Sequence, residues 1–119
     1  MQDNSFERRR DDRRYALKFL DYEVLDRDGR VCGRGLARTL NVSENGLRLE
    51  AGEFFDPGTR LRITLGLESD LVQAIGQVMH AEPVDDDLSS AGVMFLEFAE
   101  KERSLYSRHF EEMKKALAD

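Results

Sequence analysis

Residues 60–67 read RLRITLGL, in which Leu61, Ile63, Leu65 and Leu67 alternate with Arg60, Arg62, Thr64 and Gly66. A period of two sends successive side chains to opposite faces, so this octet can bury its apolar residues together only as a β-strand. The segment GLRLE repeats the pattern, with Leu47 and Leu49 opposed to Arg48 and Glu50. Strand-like stretches also run from Tyr15 to Leu25, from Val31 to Leu40 and from Leu71 to Glu82. AGVMFLEF, residues 91–98, is apolar on both faces and is expected to be covered on both sides. Turn signals separate these stretches: Asp28-Gly29, NVSENG at 41–46, Pro57-Gly58 and the acidic VDDDLSS after Pro83. Gly33 and Gly35 leave room for a bulge or a close neighbour. Several short strands at this spacing predict a small barrel or sandwich.

After Ala99 the period changes. Tyr106, Phe110, Met113 and Leu117 form a helical stripe. Glu100 and Glu102 near its start, and Lys114 and Lys115 near its end, suit the helix dipole. The predicted organisation is an exposed arm over 1–14, a β-domain over 15–99, and a helix over 100–119 packed on an outer wall or an open end.

A chain of 119 residues with 40% apolar and 35% charged content is one soluble globular domain with an arm at most. It has no run of about 18 apolar residues that could span a bilayer. The opening 15 residues lack the apolar stretch of a secretory signal. Cys32 is the single cysteine and cannot form an internal disulfide, which fits a cytoplasmic setting. A net charge of −6 disfavours general binding to DNA, RNA or anionic lipid, because the body repels phosphates. One stretch runs against that charge. ERRRDDRR, residues 7–14, sets five arginines against Glu7, Asp11 and Asp12.

Two polar clusters carry the functional signal. Arg9 and Arg13, four apart, share a side in an extended segment and nearly so in a helix, so both can converge on one ligand. A guanidinium is a planar fork of donors that matches phosphate oxygens and the O6/N7 edge of guanine, and its plane can stack on a purine. The second cluster is Asn41, Ser43 and Gly46 in NVSENG. Asn41 can accept from guanine N–H groups, Ser43 can reach a base edge or a phosphate, and Gly46 permits unusual backbone angles and close approach of a ligand.

In this order the two clusters resemble the PilZ domain family, whose signature is R-x-x-x-R followed by D/N-x-S-x-x-G. PGTRLRITL, the GQV strand, AGVMF and the C-terminal helix extend the resemblance over nearly the whole chain from Glu7 onward. The resemblance implies an all-β domain with a C-terminal helix, a six-stranded antiparallel barrel. It implies binding of the bacterial second messenger cyclic di-GMP and no enzymatic activity, cofactor or metal. Arg8, Arg9, Arg13, Asn41, Ser43 and Gly46 are the ligand residues so implied, with Arg10 and Arg14 as auxiliary phosphate contacts or surface charges. Arg8, directly before the first motif arginine, implies two stacked cyclic di-GMP molecules per chain. Ligand binding is expected to draw the arm onto the barrel and so present a new surface to a downstream effector protein. The chain is expected to be a monomer or a weak dimer. An adaptor of the same fold that binds no nucleotide is the alternative.

Two features depart from the pattern. Asn41 stands where Asp is more frequent and so lacks a charge-assisted acceptor. Asp11 and Asp12 are expected to pair with Arg8, Arg10 or Arg14 in the free state, in competition with ligand. The other polar residues have plainer readings. Arg38 and Arg48 are expected to face outward from strands beside the motif, outside the site. His80 and His109 read as structural, Cys32 as a small buried or edge residue, and Ser43 lacks the base a nucleophile requires.

Overall fold

The computed structural model describes residues 19–67 and 70–118, with side chains described through 112. Six strands follow in order: β1 (Phe19–Leu25), β2 (Val31–Ser43), β3 (Gly46–Ala51), β4 (Arg60–Leu67), β5 (Asp70–Pro83) and β6 (Ser89–Phe98). Helix α1 (Glu100–Ala118) completes the chain. All neighbouring strands are antiparallel and the sheet closes on itself in the order β1-β2-β3-β6-β5-β4. The first four residues of the predicted Tyr15–Leu25 strand lie outside the described residues.

Closure follows from the alternation in β4. Its inward row pairs directly with that of β1, Leu20 with Leu65, Tyr22 with Ile63 and Val24 with Leu61. Leu61, Ile63, Leu65 and Leu67 are each fully buried, so each contributes about 1.5–3 kcal/mol. Leu47, Leu49, Val72, Val78, Ala91 and Val93 complete the barrel interior. The outward arginine of the octet is not idle: Arg62 Nη1 donates to Glu23 Oε1 on β1 at 2.7 Å.

The turns behave as their residues require. Gly29 and Gly58 adopt φ of 81° and 95°, which a side chain would strain. Gly35 has the close neighbour its sequence context predicts: a Cβ there would lie 2.6 Å from the Tyr22 hydroxyl. That hydroxyl donates to Glu53 Oε2 at 2.5 Å.

Helix α1 packs against β5 and β6. Tyr106 is fully buried under it, and the rings of Phe95, Phe98 and Phe110 lie 5.2, 5.5 and 6.3 Å from its own. His109 Nε2 lies 3.2 Å from Asp70 Oδ2 at the start of β5, a structural tie. The helix covers only part of β6, however. Met94 and Leu96 remain about two-fifths exposed, so the expected double cover of residues 91–98 is incomplete. Cys32 is exposed rather than buried.

Candidate functional site

The hairpin between β2 and β3 is tighter than its sequence implies. Ser43 pairs with Gly46, so the turn contains only Glu44 and Asn45, and Asn41 to Ser43 belong to β2 itself. Two irregularities then decide which way the motif faces. Ala37 and Thr39 pair with Leu20 and Leu49 and share their inward side. Strict alternation would send Asn41 inward as well. A bulge at Leu40 inserts one residue, and Asn41 pairs with the outward Arg48 instead. One extra residue exchanges the two faces of the strand beyond it, so Asn41 and Ser43 point outward while Val42 turns to the core. The inward Thr39 has a cost: its Oγ1 is buried with no hydrogen-bond partner among the described residues.

Strand β5 repeats the device. Val78 pairs with the inward Val93, Met79 is the extra residue, and His80 pairs with Gly92 on the outer face. Asn41, Arg48, Gly92 and His80 therefore form one transverse row across β2, β3, β6 and β5. Three inter-strand spacings separate its ends, about 14 Å. The missing side chain at Gly92 gives the His80 ring its seat, since a Cβ there would lie 2.5 Å from the imidazole.

This row floors an open groove of about 390 Å³, lined also by Ser43, Asn45, Gly46, Met79 and Met94. Among the described residues no carboxylate lines it, although the chain carries a charge of −6. Arg48 has no ion-pair partner among them, whereas Arg38 meets Glu50 at 3.2 Å. A second groove of about 440 Å³ crosses β1, β2, β4 and β5. Its cations are neutralised: Glu23 holds Arg62 at 2.7 Å and Arg34 at 3.5 Å. Of these two grooves, only the first carries an arginine with no carboxylate beside it among the described residues.

Asn41, Ser43 and Gly46 thus share one groove. Arg8, Arg9, Arg10, Arg13 and Arg14 lie outside the described residues, as do Asp11 and Asp12. Arg48 faces outward as expected, and both it and His80, read from sequence as a structural histidine, line the groove. No linear motif contains them, since cross-strand register brings them in; the Arg48 side chain opposite Asn41 in a hairpin was the available signal. Gly46 is also required for another reason than backbone angle. Positive φ is confined to Gly29 and Gly58 among the described glycines, and a Cβ on Gly46 would collide with the Val93 carbonyl oxygen. Among the described residues no group of His, Cys, Asp or Glu is arranged to hold a metal.

The hairpin is held from behind. Ser43 Oγ donates to the Gly46 carbonyl at 3.2 Å, and the Phe95 amide donates to the Asn45 carbonyl at 2.8 Å. From the helix, the Tyr106 hydroxyl donates to the Ser43 carbonyl at 2.6 Å and Arg103 Nη2 reaches Asn45 Oδ1 at 3.4 Å. Burial raises the Tyr106 phenol pKa well above its ordinary range, against a smaller lowering by Arg103, so it remains a donor.

A closed six-stranded barrel with an outer polar groove at one hairpin, backed by a single docked helix, is a small barrel-type binding domain. The model of the PilZ domain matches residues 7–112, and the chain belongs to the PilZ domain family. Comparison with curated proteins gives no match. As a family, PilZ domains are cyclic di-GMP receptors, binding and adaptor modules rather than enzymes. No helix among the described residues is long and apolar enough to cross a membrane.

Proposed function

We propose that this chain is a cytoplasmic cyclic di-GMP receptor whose arginine arm closes over ligand seated in the β2–β3 groove. The observation that carries the reading is electrostatic: in an acidic chain, the groove holding Asn41, Ser43 and Gly46 contains Arg48 and, among the described residues, neither a carboxylate nor an ion-pair partner for that arginine. Asn41 accepts from guanine N–H groups, and the outward Ser43 and the backbone beside Gly46 meet the base edge or phosphate. Arg9 and Arg13 grip phosphate and guanine from the opposite side, with Arg8 serving a second, stacked ligand molecule and Arg10 and Arg14 auxiliary. The arm has few apolar groups to offset its ordering entropy, so the ligand's preference for the closed form drives the change and alters the surface offered to an effector protein.

Isothermal titration with cyclic di-GMP tests this. Saturable binding with two ligands per chain, weakened by about 1.5–3 kcal/mol in Arg9→Ala and in Arg13→Ala, is the expected result. Absence of binding to the intact chain would leave the nucleotide-independent adaptor.

A further inference from the structure

We propose that α1 positions the nucleotide hairpin through Tyr106, and that ligand in the groove in turn tightens the helix on the barrel. The ligand half of this inference rests on the cyclic di-GMP reading.

Ser43 is the shared residue. Its side chain faces outward into the groove, while its carbonyl accepts from the Tyr106 hydroxyl at 2.6 Å. Asn45 is shared in the same way: it lines the groove, its carbonyl accepts from Phe95, and its side chain is the acceptor for Arg103. A turn of two residues has little freedom of its own, so these contacts set the height and tilt of the groove's rim. Tyr106 is also the anchor of the helix. It is the one fully buried side chain among the described side chains of α1; Leu105 and Phe110 are only partly buried. Around it the ties are peripheral, both to β5: His109 meets Asp70 and the Gln73 amide donates to Glu102.

The coupling follows from linkage. If the docked helix favours the hairpin geometry that binds ligand, then bound ligand favours the docked helix by the same factor. The two ligand-dependent surfaces are then the arm in front of the hairpin and α1 behind it.

Tyr106→Phe keeps the ring packing and removes only the hydroxyl. In hydrogen exchange without ligand, the amides of residues 44–46 are expected to exchange several-fold faster in this variant, with the melting temperature lowered by roughly 2–6 °C, as loss of one hydrogen bond allows. With cyclic di-GMP, wild type is expected to gain protection in residues 103–112. The variant is expected to bind roughly 2- to 10-fold more weakly, as loss of one net hydrogen bond allows, and to lose that gain. Asn41→Ala is the control: weaker binding with unchanged ligand-free protection of α1. Wild-type affinity in Tyr106→Phe, or hairpin exchange identical to wild type, overturns the proposal. If wild type binds no cyclic di-GMP, the receptor reading and the linkage both fail. The ligand-free exchange of residues 44–46 still decides whether Tyr106 positions the hairpin.

Discussion

Asn41 and His80 stand at opposite ends of one row of residues, and each is the first residue beyond a β-bulge. Each bulge reverses the inside-outside order of its strand, so two polar side chains that alternation assigns to the core reach the surface together. Arg48 lies between them with no acidic partner among the described residues.

From this follows a contrast between two arginines. Arg48→Ala is expected to weaken cyclic di-GMP binding by about 1.5–3 kcal/mol, the range for a charge-assisted contact. Arg38→Ala, already paired with Glu50, is expected to change it by less than about 0.5 kcal/mol. Titration of both variants under one salt condition checks the difference. Equal effects would mean that Arg48 acts only through the general field of the protein.

Thr39 has a separate consequence. Its buried Oγ1 lacks a partner among the described residues, and Val has nearly the same shape without the hydroxyl. Thr39→Val is expected to stabilise the fold by about 1 kcal/mol, since an unsatisfied buried hydroxyl costs about 1–3 kcal/mol. Urea denaturation measures it. A destabilised variant would imply a bound partner for that oxygen in solution.

Gly46→Ala tests whether the motif glycine is structural. The added Cβ meets the Val93 carbonyl, which is fixed in the β3–β6 ladder. Overpacking against backbone is expected to cost about 1–3 kcal/mol. The loss should appear in the melting temperature of the ligand-free protein. Unchanged melting with lost binding would make Gly46 a ligand residue alone.

The phenols of Tyr22 and Tyr106 carry a pH dependence. Burial is the main cause of the raised pKa in both, reinforced at Tyr22 by the hydrogen bond to Glu53. Unfolded tyrosine ionises near 10, so above that pH the unfolded chain releases protons the folded chain keeps. Stability present at neutral pH is therefore lost as pH rises above about 10. Absorbance at 295 nm should show these two phenols ionising together with the loss of far-UV dichroism. Ionisation of both in a still folded protein would contradict their burial.

The barrel was legible because β4 and β3 obey strict alternation and β4 pairs its apolar row directly with β1. The helix was legible because the period changes after Ala99 and an apolar stripe at helical spacing starts at Tyr106. What the linear pattern concealed lies where alternation is broken. Leu40 and Met79 each look like ordinary apolar strand residues, yet each is the inserted residue of a bulge. Their consequence, His80 joining Asn41 and Arg48, depends on register across four strands. Leu96 was hidden for a related reason. It is the extra residue where Gly76 pairs with Phe95 and Ile75 with Glu97, so its side chain stays partly exposed despite an apolar context.

Closure of the sheet has a consequence for recognition. Each described strand is hydrogen-bonded on both flanks, β1 to β2 and β4 as much as β3 to β2 and β6. Where two strands are paired no ladder is vacant, so strand addition, a common way for sheets to capture peptides, is confined among the described residues to the overhangs of β2 beyond its β1 and β3 partners and of β5 beyond its β4 partner. A partner that reads the paired wall must therefore grip side chains, hairpin tips or α1.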